Sequence, residues 1–252
     1  MYIEGLMVCV KFDDLLALAL PHNRQHLDDL LVVTTPWDEA TKEQCRKFDC
    51  RIFETEAFYD DGADFNKGKA VEQAVDTLRR QGHILIFDAD IVFPADMRTR
   101  LEMTHLHPAA LYGVRRRQCD DLATFKKALA DWDDPSILQI PDQEIAGYYQ
   151  LFHTADPRLR RRPWYTTDWR HAGGSDSDFH RRWRGQGAKR WIENFHVMHL
   201  GDTFSNWCGR SSDRWLDVPG SEGGLSQEEA ADRNNRLQDK RASHKGFDDE
   251  KL

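Results

Sequence analysis

The N-terminal part of the chain alternates short apolar runs with longer stretches whose apolar positions recur at helical spacing, which predicts a mostly parallel sheet covered by helices. Residues 5–10 read as a first strand, and residues 13–26 as a helix that tolerates Pro21. Residues 30–35 form a second strand closed by Pro36, residues 38–48 a second helix and residues 51–55 a third strand. After a polar loop holding Asp60, Asp61 and Gly62, residues 66–81 set Ala70, Val71, Ala74, Val75 and Leu78 on one helical face, and Gly82 ends it. Residues 84–87, Ile-Leu-Ile-Phe, are a continuous apolar run, the pattern of a strand buried on both faces. That strand delivers Asp88 to its C-terminal end, where open α/β sheets bind ligands.

Past residue 93 the pattern weakens. Trp132, Trp164, Trp169, Trp183, Trp191, Trp207 and Trp215 fall among what read as loops and short elements, so an irregular second half is expected. The expected organisation is one catalytic domain over residues 1–216, with a donor half over 1–92 and an acceptor half over 93–216. Residues 217–252 are polar and charged and read as a tail or lone helix.

The chemistry begins with Asp88-Ala89-Asp90. The strand period of two points both carboxylates to one side, where they repel each other. A hard divalent cation, Mg²⁺ or Mn²⁺, relieves that repulsion and can hold the oxygens of a diphosphate at the same time. Turn residues after a strand are often acidic without any such role. Asp96 reads as the start of the next helix. An apolar run followed by Asp-x-Asp-x-Val also fits the nucleophile strand of haloacid-dehalogenase-like phosphatases, with Asp88 attacking. Those enzymes carry that strand near the start of the chain, whereas three strands precede it here.

Composition narrows the field. A chain of 252 residues with 40% hydrophobic residues can bury a sizeable core, and its net charge of -8 argues against coating nucleic acid by overall charge. The five cysteines, Cys9, Cys45, Cys50, Cys119 and Cys208, show no CxxC spacing, which suggests neither a zinc site nor a disulfide framework and fits a reducing cytoplasm. No apolar run approaches the roughly 20 residues that span a bilayer, so a soluble protein without membrane insertion is expected.

Four elements in order resemble the GT-A superfamily of nucleotide-sugar glycosyltransferases, family-2-like members and small phage-associated relatives in particular. They are Phe65-Asn66-Lys67-Gly68, the strand ending in Asp88-Ala89-Asp90, Gly173-Gly174-Ser175-Asp176-Ser177-Asp178-Phe179, and His199-Leu200-Gly201. The resemblance implies a GT-A-like, Rossmann-like fold and a metal-dependent transfer from a nucleoside-diphosphate sugar, UDP-linked, to an acceptor hydroxyl. Asp88, Asp90 and His199 would hold Mn²⁺ or Mg²⁺, His196 being the weaker match for the histidine. Relatives carry Glu-Asp in the third element, so Asp176 falls on the general base; Ser175 replaces the Glu, which leaves Asp178 as a competitor. Both also read as helix-start residues. The donor would lie along Val10, Lys11, Phe12 and Asp13 after the first strand and Thr34, Thr35 and Pro36 after the second. Asn66 and Lys67 would face its phosphates at a helix start, besides Asp88, Ala89 and Asp90.

Basic islands interrupt the acidic chain at Arg115-Arg116-Arg117, at 158–164 and at 181–191, with tryptophans among them. Arginine and tryptophan together can hold a nucleic acid, and some phage-associated relatives glycosylate modified DNA bases, so a hydroxylated base is one acceptor to consider. A nucleic-acid-binding module without catalysis is the corresponding alternative. The plainer reading is that these arginines pair with local acids while the tryptophans pack a core.

Overall fold

The computed structural model describes residues 1–201 and 206–215; the tail expected over 217–252 lies outside the described residues. In the first half, strands β1 (Ile3–Val8), β2 (Asp29–Thr34), β3 (Arg51–Glu54) and β4 (His83–Asp88) pair in parallel, with helices α1 (Asp13–Asn23), α2 (Glu39–Lys47) and α3 (Lys67–Val75) between them. The second half adds β5 (Ile91–Val92), α4 (Met97–Met103), β6 (Leu111–Cys119), α5 (Leu122–Ala130), β7 (Tyr149–His153), α6 (Ser175–His180) and β8 (Lys189–Leu200). All eight strands form one sheet in the order β3-β2-β1-β4-β7-β6-β8-β5. β7 runs antiparallel to β4 and β6, β8 runs parallel to β6, and β5 runs antiparallel to β8. The α/β class holds, and the sheet is mixed, its first four strands wholly parallel.

Both faces of β4 are covered, which is why its residues 84–87 are continuously apolar. Leu85 and Phe87 join a core with Leu16, Leu20 and Phe93, while Ile84 and Ile86 join one with Val71, Val75, Phe152 and Trp183. α3 stops at Val75, short of residue 81, because a tertiary partner captures the backbone that would continue it. Glu4, buried on β1, accepts hydrogen bonds from Arg79 N at 2.8 Å and Arg80 N at 2.9 Å, and Arg80 turns to φ 56.

The second half is more regular than its pattern predicts. β8 spans 12 residues and β6 spans 9, the latter through Arg115, Arg116 and Arg117. Those charges sit on a strand because each has a partner: Arg115 stacks 4.0 Å from the Trp191 ring centroid, Arg116 pairs with Asp142, and Arg117 donates to Asp134 O at 2.8 Å. Trp164 and Trp183 are core residues, their indole N–H groups satisfied by Leu159 O and Asp156 Oδ2, both at 2.9 Å. Cys9, Cys45, Cys50 and Cys119 are free thiols, and no helix among the described residues is long and apolar enough to cross a membrane.

Candidate active site

Where β1 and β4 end, the chain leaves the sheet on both sides of a cavity of about 330 Å³. Val8 at the end of β1 and Val10 and Phe12 just after it line the cavity, with Lys67 from the start of α3, Asp88 from the end of β4, and Ala89 and Asp90 from the turn before β5. Arg116 on β6, Gly147 and Tyr148 ahead of β7, Asp176 on α6 and His199 on β8 close the far side. The four sequence elements of the resemblance thus each reach one cavity, through Lys67, the Asp88 turn, Asp176 and His199.

Within it, Lys67 Nζ meets Asp88 Oδ1 at 2.5 Å. Burial alone would lower the Lys67 pKa, but Asp88 and then Asp176 outweigh it and hold the ammonium above its usual value. Asp88 is also raised, since burial outweighs the attraction of Lys67. Asp90 goes further: burial pushes its carboxyl up to about 6 against its own backbone N–H and the cations Lys67, Arg116 and Arg210. Its Oδ1 is buried without a hydrogen-bond partner, and its Oδ2 stands 3.8 Å from His199 Nε2. Burial, then Arg116, pushes His199 down to about 4, so the ring is neutral at pH 7.

On α6, the two-residue step between the acids, about half a helical turn, puts them in different environments. Asp176 faces the cavity, its Oδ2 accepting from Gly147 N at 2.8 Å and its Oδ1 from Ser177 N at 2.9 Å. Gly147 is required to be glycine by this contact, since a Cβ there would fall 2.6 Å from Asp176 Oδ2. Asp178 does not line the cavity: its carboxylate takes the Thr166 hydroxyl at 2.8 Å, Trp169 Nε1 at 2.9 Å and Arg181 at 3.0 Å, tying down the loop ahead of α6. His196 is likewise turned from the cavity, because a three-residue step along β8 puts it on the opposite face from His199; its Nε2 lies 3.0 Å from Trp132 O.

Several other expected donor contacts, at Lys11, Asp13, Thr34 and Asn66, are engaged by the protein itself. Asp38 caps α2 through Thr41 N at 3.2 Å, and its carboxylate also takes Lys11 N at 2.6 Å and the Thr34 hydroxyl at 3.3 Å. Asp13 pairs with Arg214 at 2.5 Å. Thr35 is buried outside the cavity lining, and Asn66 caps α3 while donating to Thr167 O at 2.8 Å. Several lining residues carried no local signal: Gly147, Tyr148 and Trp207 have a role only because distant segments meet there. Arg116 could have been singled out, since strand alternation from Arg115 separates the two. Arg210 pairs with buried Asp14, donates to Lys11 O at 2.8 Å and stacks on Phe12 at 4.9 Å, supporting the cavity wall from behind.

Most of the basic stretches lie elsewhere. Phe87 pairs with Tyr149 and Gln118 with His199 at the cavity end of the sheet, whereas His83 pairs with His153 and Leu111 with Lys189 at the opposite end. Residues 158–161 follow β7 at that opposite end, as do Lys189 and Arg190. Arg158, Arg162 and Arg181 pair with Asp156, Glu72 and Asp178, in keeping with the plainer reading of these charges.

Among the described residues no three His, Cys, Asp or Glu side chains are grouped to hold a metal ion. The donor set fits a cation of the kind that keeps substrate oxygens in its shell, since Mg²⁺-type sites use one or two protein ligands plus phosphates and water. Asp90 and His199 could supply two such ligands, and Asp90 Oδ1, buried without a hydrogen-bond partner, is an oxygen that a cation could satisfy.

No protein-family model matches the chain, and no curated protein matches it in sequence. Solved structures do. Mannosyl-3-phosphoglycerate synthase from Rubrobacter xylanophilus aligns at a TM-score of 0.53 and 14% identity, covering 81% of this chain and 68% of that one. A mycobacterial protein aligns at 0.52 and 14% identity with the same coverage. The fold is therefore GT-A-like, shared with these solved structures.

Proposed function

We propose that this chain is a metal-dependent glycosyltransferase that moves a sugar from a nucleoside-diphosphate sugar, UDP-linked, to an acceptor hydroxyl. The observation that carries the reading is Asp90, whose buried Oδ1 has no partner while its Oδ2 and His199 Nε2 face one another at 3.8 Å across the cavity wall. Asp90 and His199 would hold Mn²⁺ or Mg²⁺, with Asp88 beside them. Held there, such an ion would supply positive charge to offset the negative charge developing on the departing nucleoside diphosphate. Support also comes from the fold and from the neighbour whose name is a sugar-transferring synthase.

The chain's own residues supply the remaining roles. Lys67, held at the cavity by Asp88, offers an ammonium to phosphate oxygens as the donor enters. Asp176 is the general base on the acceptor hydroxyl in an inverting reaction, because two backbone N–H groups fix its orientation and leave lone pairs for the incoming proton. The acceptor approaches between Asp176 and the half-exposed ring of Trp207. A hydroxylated DNA base is one acceptor to assay.

The test is a thermal-shift screen of nucleoside diphosphates and their sugars with and without MnCl₂. A ligand present at about 100 times its Kd stabilises the folded form by ~2.7 kcal/mol. The expected result is a UDP-dependent shift that needs Mn²⁺; the absence of any nucleotide-dependent shift contradicts the reading.

A further inference from the structure

His199 has two ring nitrogens, and only an unprotonated one can bind a metal. Which one is bare follows from a chain of hydrogen bonds behind it. Gly201 adopts φ 79, the left-handed region that favours glycine, and its N–H donates to Cys119 O at 2.9 Å. Its carbonyl can only accept, and it accepts from Gln118 Nε2. The Gln118 amide is thereby oriented with Oε1 toward His199, 3.1 Å from Nδ1. An amide oxygen cannot donate, so His199 Nδ1 must carry the proton. The other nitrogen, Nε2, is left with a bare lone pair on the side of Asp90.

We infer that Gln118 is a positioning residue which, anchored by Gly201, locks His199 in the Nδ1–H tautomer and so presents Nε2 as a ligand. The inference rests on the metal-site reading above. It accounts for two residues to which that reading gives no role, a polar side chain two positions from Arg116 on β6 and the glycine two positions after His199. Gln118 and His199 are register partners across β6 and β8, so the sheet itself sets their approach. Partners of this kind, behind a metal-binding histidine, commonly change metal affinity about 10–100-fold when removed.

The experiment has two arms. In the metal-free wild-type protein labelled with ¹⁵N-histidine, NMR is expected to show His199 with a protonated Nδ1 and a bare Nε2. In Gln118→Met, which keeps the side-chain volume without the acceptor, the Nε2–H form should become populated. Mn²⁺ binding, followed by its electron paramagnetic resonance signal at saturating UDP, should then weaken roughly 10–100-fold. Gln118 acting only as a structural prop would lower Tm and leave both the tautomer and the affinity unmoved. An Nε2–H tautomer in the wild type, or Mn²⁺ affinity in the variant within threefold of wild type, overturns the inference. If the wild type binds no Mn²⁺ with UDP, the metal-site reading fails, while the wild-type tautomer still decides the role of Gln118.

Discussion

Replacing Asp90 by asparagine separates the folding of the site from its use. Folding carries the Asp90 carboxyl from an ordinary 3.8 to about 6, so the ionised form is disfavoured in the folded state. At about 1.4 kcal/mol per pKa unit, the metal-free protein gives up as much as ~3 kcal/mol at neutral pH. The sign follows from proton counting. Below pH 3.8 the group is neutral whether the chain is folded or not, and nothing is lost; between 3.8 and about 6 the loss grows; above about 6 it is complete. Asp90→Asn removes the charge at every pH, so in EDTA at pH 7.5 the variant should melt higher than wild type, by roughly 2–4 °C for each kcal/mol recovered. The gap should close as the pH is lowered toward 4. Adding MnCl₂ with UDP should reverse the order, stabilising wild type and leaving the variant unmoved. A variant that melts at or below wild type at pH 7.5, or a gap independent of pH, refutes the argument that Asp90 is an uncompensated charge awaiting a cation.

Three further outcomes follow from the geometry. Asp176→Asn should lower the transfer rate by about 10²–10⁴ while leaving UDP and Mn²⁺ affinity in place, whereas Asp178→Asn should slow transfer far less; equal effects in a steady-state assay would remove the distinction drawn between them. Gly147→Ala pushes a Cβ to within 2.6 Å of Asp176 Oδ2, and should cost about 1–3 kcal/mol in denaturant unfolding together with a loss of rate. A fully active, fully stable alanine variant would show that Asp176 is not held as described. Arg210→Leu takes the ion partner from buried Asp14, leaving its carboxylate the Trp215 N–H at 2.8 Å, and should destabilise by about 3–5 kcal/mol at pH 7. Although burial acts to raise Asp14, its pairing with Arg210 prevails and holds its carboxyl below the usual range. The pair's contribution is therefore present above the unfolded value near 3.8 and lost as pH falls through the lower folded value. Urea titrations at pH 7 and pH 3 should show the difference between variant and wild type narrowing in acid.

The legible part of the fold was the part in which pattern and burial agree. β1 to β4 and the helices between them follow from apolar runs and helical spacing, because a parallel sheet covered on both faces leaves β4 no polar position between His83 and Asp88. β6 and β8 were hidden for the opposite reason. Arg115, Arg116 and His196 read as loop or solvated face until Trp191, Asp142 and Trp132 are seen to receive them. In the site, Lys67, Asp88, Asp90, Asp176 and His199 were marked by motif order, and all five line the cavity. Lys11, Thr34 and Asp13 belong to the same strand ends, yet Asp38 and Arg214 already engage them, a competition that spacing cannot express. Gly147 and Gln118 were invisible because their roles exist only through Asp176 and His199, far away along the chain.

The metal between Asp90 and His199 is the claim on which the rest depends, and an anomalous-difference map from crystals grown with MnCl₂ and UDP tests it most directly. The account predicts a manganese peak roughly 2.0–2.3 Å from an Asp90 oxygen and from His199 Nε2, with the diphosphate completing its shell. A nucleotide bound in the cavity with no manganese there, or manganese held by other residues, would contradict it.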